Sequence, residues 1–503
     1  MFAIDESAFF SAQQLAEITQ GTWENLSGEL TVKKFHYVPK YIEPGDLLVI
    51  RHEKWPNKKY LYNLHKVPDM VAKGIVAIMA NMETPLNVHI PILRVSDTYQ
   101  ALRKIAIRTS KLSTAKRILV VGSYGKTAFK THLWHLLKEH LPTYTCLNSS
   151  NFNASTYCDF ASLKRNTEVF VLEKPIEHER KILRRVKIIA PDIVVLTSIG
   201  HEHIEKFKTI DHIIWLKTTY ASGLAAGGKF IAPYDSEYYP QILAALQRYP
   251  GINILTFGSG ANCHARLLAQ RFRQFGWDIV AAIEGEIIRY RVPFPEAHAP
   301  TASLAELLCV YHLGIDVKTA VAHYYQCTNF KSSGALYHIH YQNKHFYLYD
   351  QSRRGGIEGY SSFFKTVAAF QPEAQGKKIV VTSNFVDHVD GEVALLDLAY
   401  FKQLIADADI HCLFSVEYFT EHGAVVPDNV IWEHRFTVAD IQEAVLNSLE
   451  NDDILCVKGI YESDLPRLLR YLKQLPGLRM KRLVSRPWED DDFFELSDVH
   501  EIT

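Results

Sequence analysis

Residues 118–127 read Ile-Leu-Val-Val-Gly-Ser-Tyr-Gly-Lys-Thr. An apolar run suited to a buried strand leads into a turn with two glycines. Lys126 and Thr127 then stand at the head of Thr131–Leu141, where apolar residues recur at helical spacing. Glycine at 122 and 125 lets the backbone turn tightly enough for its N–H groups to face phosphate oxygens, and the start of a helix adds partial positive charge. In such a loop Lys126 would hold the terminal phosphates and the Thr127 hydroxyl would bind Mg²⁺. The loop is shorter than the usual Walker loop, with Val rather than Gly at position 120. The bland alternative, a glycine turn that happens to precede Lys-Thr, ranks below a nucleotide site in this strand–loop–helix setting. Gly122, Ser123, Gly125, Lys126 and Thr127 are the candidate nucleotide-binding residues.

Outward from this loop the pattern repeats. Strand-like runs VFVLE (169–173), IVVLTSI (193–199) and KFIAP (229–233) are each followed by a helical stretch, the alternation of a mostly parallel sheet covered on both faces. From about residue 331 a second alternating block begins, with HFYLYD, KIVVTSNF, IHCLFSV and DDILCVKGI as its strands. Before the loop, short runs such as LLVI and GIVAIMA mix with turns, and a helical stretch at 98–110 ends in the polar linker KLSTAKR. The expected fold is α/β in three domains: a small α/β N-terminal domain (1–112), a central P-loop-type parallel-sheet domain (113–330) and a C-terminal Rossmann-like domain (331–503). The acidic tail after Pro487 reads as a solvated terminus.

Bulk properties narrow the function. A chain of 503 residues with 47% hydrophobic residues can fill several cores, and a net charge of -1 offers no global attraction to nucleic acid or anionic membrane. Seven scattered cysteines without a C-x-x-C pair read as reduced thiols. The acidic N-terminus does not suit a signal peptide, and no apolar run is long enough to span a bilayer. A soluble cytoplasmic protein, monomeric and without a nucleic-acid partner, is the expectation.

Four further side chains follow along the chain, the first three of them near the same rim. Glu173 closes a strand at its carboxyl end, where open α/β sheets gather ligands, although a lone strand-end carboxylate is more often structural. His201 and His203 form an H-x-H pair just past another strand, which in isolation reads as a polar loop as readily as a metal site. Lys217, inside IDHIIWLKTTYA, would ordinarily be a surface lysine with its stem laid over apolar neighbours.

In order and spacing these residues resemble the Mur ligase family. Gly122–Thr127 is similar to its short phosphate loop, Glu173 to its Mg²⁺-binding strand-end Glu, and APDIVVLTSIGHEHIEKFKTIDHIIWLK to its His–Lys block. Within that block His203 matches a metal-binding His, and Lys217 the lysine that is carbamylated in the family. The resemblance extends over nearly the whole chain. It implies an ATP-dependent, ADP-forming ligase that joins a carboxylate to an amine through an acyl-phosphate. ATP would lie on the loop with Mg²⁺ on Thr127, and a second Mg²⁺ near Glu173, His203 and the carbamate of Lys217. Lys126, Lys217 and His203 are then the catalytic candidates. Closure of the third domain would keep water from the intermediate.

The substrate-reading parts depart from the family. Val38-Pro39-Lys40 precedes the Pro44-Gly45-Asp46 turn where the family has Asp-Ser-Arg, so only a positive charge remains. Asn151 and Asn153 resemble the Asn-rich substrate loop, followed by Ala154. His298, with Ala299 and Ala302, is what remains of H-N-x-x-N, and Gly334-Ala335 lacks the family's arginine. Asp350 is kept from D-x-Y-N-A-N-P, but Arg353 and Arg354 follow it; they either supply the missing cation or form a solvated turn. Lys458-Gly459 is half of K-G-S-R. This pattern favours an altered acceptor, with a small-molecule or nucleotide-linked peptide as one substrate and an amino acid or dipeptide as the other. The alternatives are the family's standard peptidoglycan reaction, addition of D-alanyl-D-alanine to a uridine-nucleotide muramoyl tripeptide; a catalytically silent nucleotide-binding paralogue; and an unrelated P-loop NTPase.

Overall fold

The computed structural model describes residues 9–51, 64–147, 153–201, 204–327, 334–353, 357–373, 375–384, 398–460 and 463–483. Within them the chain forms three α/β domains around sheets of five, nine and seven strands, the class of fold expected from sequence.

The middle sheet is built outward from Lys116–Val121, which lies between Val169–Glu173 and Ile193–Leu196, parallel to both. The register pairs Val120 with Glu173 and Val121 with Leu196. The chain therefore leaves all three strands on one carboxyl rim, which brings residues 122–127, Glu173 and residues 197–201 together. Along these strands alternate residues enter two different cores. Leu119, Val121, Phe170, Leu172, Val194 and Leu196 pack on one face, while Ile118, Val120, Val169, Val171, Ile193 and Val195 pack on the other. Burial on both faces is the reason these strands read as unbroken apolar runs.

One part departs from the parallel expectation. Beyond Asn253–Gly258 the sheet continues through Ala265–Arg273, Gly276–Ile283 and Glu286–Val292, and each of these three is antiparallel to the next. Two-residue turns join them, Gln274-Phe275 and Glu284-Gly285, too short for the crossover that a parallel pair requires.

The first domain shares the core on one face of the middle sheet, with Phe35, Leu47, Val49 and Leu102 in the same cluster as Leu119 and Phe160. Its helix Thr98–Leu112 is capped by Asp97 and packs against the helix Asn153–Ser162. The third sheet also has alternate residues in two cores, such as Val380 and Cys456 against Val381 and Val457. Its parallel strands Lys344–Gln351, Lys378–Thr382, Cys412–Ser415 and Ile454–Lys458 match the runs read from sequence. No described helix is long and apolar enough to cross a membrane.

The Pro44-Gly45-Asp46 turn of the first domain encloses a titratable pair. Gly45 has φ +92°, the Glu43 N–H donates to Asp46 Oδ2 at 2.9 Å, and His36 Nε2 stands 3.7 Å from the same oxygen. Burial, aided by the charge of Lys34, lowers His36 from 6.5 to about 4; burial raises Asp46 from 3.8 to about 6. As pH falls below 6.5 the unfolded His36 is protonated first, which costs stability. As pH falls through 6 the folded Asp46 is protonated first, which adds stability until the unfolded carboxyl also protonates near 4. The two effects oppose each other, and His36→Gln leaves only the second. Thermal melts should show this variant gaining Tm, relative to the parent, between pH 7 and pH 5. A parallel pH dependence of the two would refute the assignment.

Candidate nucleotide and metal site

The phosphate loop is shaped by two glycines with different tasks. A Cβ on Gly122 would stand 2.0 Å from Thr197 Oγ1, so only glycine lets the loop pass this neighbouring strand end. Gly125 has φ +81° and caps the helix Lys126–Leu137, a left-handed position that other residues take at a cost. Sequence periodicity placed this helix from Thr131, but it begins at Lys126. Residues 197–200 brace the loop: Thr197 Oγ1 donates to the Tyr124 carbonyl at 2.7 Å, the Tyr124 N–H donates to Ser198 Oγ at 3.0 Å, and Ser123 Oγ donates to the Gly200 carbonyl at 3.2 Å. Lys126 is folded onto the loop, its Nζ donating to the carbonyls of Gly122 (2.6 Å) and Ser123 (3.0 Å).

Thr127 and Glu173 meet. The Thr127 hydroxyl lies 2.8 Å from Glu173 Oε2 and 3.1 Å from Oε1. Two oxygens on adjacent corners of a Mg²⁺ octahedron are about 3 Å apart, given metal–oxygen distances near 2.1 Å. A hydroxyl and a carboxylate at this separation fit one Mg²⁺, with phosphate and water oxygens to complete its shell. Glu173 is only 3% exposed, and Lys130 Nζ stands 3.5 Å from Oε1, which offsets the cost of burying the charge. Sequence reasoning passed over Lys130. Its one local signal was its place a helical turn after Lys126, on the same face.

The other candidates are placed as follows. Lys217 is 1% exposed in the last turn of the helix Ile210–Thr218, so the surface reading does not hold. His203 lies outside the described residues, while His201 is exposed on the rim. Asn151 is outside the described residues, and Asn153 opens the helix Asn153–Ser162. Asp350 is buried at the end of Lys344–Gln351 and accepts the Ser352 N–H at 3.0 Å; Arg353 is exposed and Arg354 lies outside the described residues. Lys458 is buried with its Nζ 4.8 Å from the centre of the Tyr360 ring. Lys40 is exposed in the short turn Pro39–Tyr41. Among the described residues no group of three or more His, Cys, Asp or Glu is placed to hold a metal by itself.

Two constellations had no signature in the sequence. Beneath Glu173, the Lys174 ammonium bonds Thr156 Oγ1 in a buried cluster with Asp159; burial pushes the lysine down and the carboxyl up. The same helix reaches the first domain, through Ser155 Oγ with Tyr37 Oη (2.8 Å) and Ser162 Oγ with the Phe35 N–H (2.8 Å). Above the loop, the third-domain helix Ile357–Ala369 closes on the rim. Glu358 accepts the His201 N–H, His298 Nδ1 lies 2.9 Å from Ser362 Oγ, and the Ala297 N–H donates to Thr366 Oγ1 at 3.0 Å. Tyr124 is enclosed against His298, their rings 5.6 Å apart; burial and then the charge of Glu358 push its phenol up.

A strand-end loop and a hydroxyl–carboxylate pair beneath a third-domain helix suit a nucleotide and Mg²⁺, and residues 120–305 match the Mur ligase middle domain. The similar proteins include D-alanyl-D-alanine-adding ligases and solved MurF structures. The chain is 23% identical over 314 residues to the UDP-N-acetylmuramoyl-tripeptide--D-alanyl-D-alanine ligase of Rickettsia prowazekii (strain Madrid E), covering 62% of this chain and 69% of that protein. It is 25% identical over 258 residues to the ligase of the same name from Bacillus subtilis (strain 168), about half of each chain (50% and 53%). A crystal structure of MurF from Acinetobacter baumannii superposes with a TM-score of 0.72 at 19% identity, over 93% of this chain and 99% of that one. MurF from Thermotoga maritima in complex with ADP gives 0.67 at 17% identity, over 87% and 96%. At these identities the structures establish the fold.

Glu173→Gln keeps the side-chain volume but removes the charge that would face Mg²⁺. Binding of ADP titrated with Mg²⁺ should require at least tenfold more metal in this variant. An unchanged Mg²⁺ requirement would exclude Glu173 as a ligand.

Proposed function

We propose that this protein is an ATP-dependent, ADP-forming ligase that joins a carboxylate to an amine through an acyl-phosphate, with an acceptor altered from the usual one of its family. The observation that carries the reading is the Thr127–Glu173 pair beside Lys126, under the third-domain helix that bears Glu358. Members of the Mur ligase family are ATP-dependent, ADP-forming ligases, and the relatives above are named as ligases.

In this reading the backbone of residues 122–125 cradles the phosphates, and Lys126 swings from its carbonyl partners to the terminal phosphate. Mg²⁺ on Thr127 and Glu173 supplies charge neutralisation for phosphoryl transfer. A second Mg²⁺ would be held near Glu173 by His203 and by buried Lys217 as a carbamate. Helix Ile357–Ala369 excludes water that would otherwise hydrolyse the acyl-phosphate. The division at 1–112, 113–330 and 331–503 assigns the acceptor to the first domain, ATP to the second and closure to the third, in a cytoplasmic enzyme. An altered acceptor is supported by Lys40 where the family has an arginine, and by the alanines that follow His298. Arg353 or Arg354 replaces the family's phosphate-contacting cation; unchanged ATP affinity after replacing both would remove that part. The second reading, the D-alanyl-D-alanine-adding reaction itself, is favoured by the names of the relatives.

ADP release should require a carboxylate and an amine together, with Lys217→Ala as the blank. Lys126→Ala should lose on the order of 10²-fold or more in kcat, about 2.7 kcal/mol of transition-state stabilisation. Turnover of ATP without either substrate would point to a plain ATPase, and none under any pairing to a silent paralogue. Product at ordinary enzyme rates from uridine-nucleotide muramoyl tripeptide and D-alanyl-D-alanine would establish the second reading.

A further inference from the structure

Away from the rim, two domains enclose a cavity of about 180 Å³. One wall is the tip of the hairpin Ala265–Arg273/Gly276–Ile283, where Gln274 and Phe275 both have positive φ (47° and 56°). A left-handed conformation costs a side-chain-bearing residue about 1–2 kcal/mol, and Asn-Gly is the sequence that usually makes this turn. The Arg291 guanidinium holds the strained turn by donating to the carbonyls of Arg273 (2.6 Å) and Gln274 (3.4 Å). The turn directs Phe275 into the third domain, 4.9 Å from the Tyr347 ring and 5.5 Å from Phe370. The opposite wall is Tyr347, Ile454, Gln371, Pro372 and Glu373.

The lining has a definite chemistry. Phe272, Phe275 and Tyr347 offer ring faces and edges to a flat apolar group. Arg273 and Glu373 place one charge of each sign on the same lining. The Glu373 carboxylate lies near enough to Tyr347 to add to the upward push that burial gives its phenol. Arg273 is held through Nε, 3.2 Å from the fully buried Asp278. The volume exceeds the roughly 150 Å³ that admits benzene in a closed apolar cavity. Gln371 and Glu373 are exposed, so the space opens to solvent on their side.

We propose that this cavity is a binding site for a free aromatic amino acid. The ring sits among Phe272, Phe275 and Tyr347, the carboxylate meets Arg273 and the ammonium meets Glu373. The site is separate from the nucleotide rim: Glu358 at the rim and Gln371 on the cavity wall lie at opposite ends of the helix Ile357–Ala369, which at 1.5 Å per residue is about 20 Å long. Because its walls come from two domains, an occupant favours the arrangement that brings Phe275 against Tyr347, and it acts on domain closure by that differential affinity.

The test is calorimetric titration of the full-length chain with L-phenylalanine, beside Glu373→Gln and Gln371→Trp. Both positions are exposed, so folding should tolerate the changes, and circular dichroism melts check it. The expected result is saturable binding by the parent, weakened at least tenfold by loss of the carboxylate charge and also by the tryptophan that fills the mouth, with Mg²⁺–ADP affinity unchanged in both. Absence of saturable binding overturns the proposal. So does binding that neither variant alters, which would place phenylalanine elsewhere, including the amine site of the rim. Because the readout is binding, failure of the ligase reading leaves this result interpretable.

Discussion

A buried carboxylate fixes the geometry on which the rest of the site depends. Glu173 is nearly inaccessible to water, and an unpaired charge there would be prohibitive. Its oxygens are met by the Thr127 hydroxyl and the Lys130 ammonium, both on the helix that the phosphate loop begins. The neighbouring register of Val120 and Glu173 sets this meeting, because the loop leaves its strand one residue beyond that pair. A slip of one residue would turn Glu173 to the opposite face of the sheet and separate the two. Sheet register, helix start and ion pair therefore specify one another.

The same constraint accounts for what the sequence disclosed. The loop and its glycines are contiguous in the chain, so their conformation was readable without knowledge of any partner. Strands of the middle and third sheets are buried on both faces and stand out as apolar runs. Glu173 could be placed on the correct rim from its strand end, but its pairing with Thr127 and Lys130 is a tertiary fact. Lys217 shows the limit most plainly: a lysine among apolar neighbours on a helix has the same local pattern whether the helix face meets solvent or the interior, and here it is buried. The first antiparallel hairpin was missed because Gln274-Phe275 carries no Asn or Gly, so nothing in its composition announces a left-handed turn. Glu358, Ser362 and Thr366 are more than sixty residues from the groups they touch and had no local signature at all.

The first domain is bound to the site through its polar underside as well as its core. Ser155, Thr156, Asp159 and Ser162 share one helix, and they contact Tyr37, Lys174 and the Phe35 backbone. A shift of that helix would strain the Lys174–Asp159 cluster directly behind Glu173. Groups of opposite charge in a low-dielectric interior resist separation, so the first domain and the carboxylate are mechanically one unit. This continuity distinguishes the first domain from the third, whose cores meet that of the middle domain only at their edges, through Phe272, Phe275 and Ala369 among the described residues.

The third domain is attached to the middle domain by contacts of two kinds, and their energetics differ. At the hairpin the contact is aromatic, with Phe272 and Phe275 against Tyr347 and Phe370. At the rim it is polar, made by Glu358, Ser362 and Thr366. Such polar contacts exchange for water at a net cost of about 0.5–1.5 kcal/mol each. Uncovering an aromatic side chain costs about 1.5–3 kcal/mol, with no compensating bond to solvent. A separation of the domains at the rim alone would break the polar contacts and leave the phenylalanines covered, whereas one at the hairpin would uncover Phe275, so the aromatic contact is the costlier of the two to open.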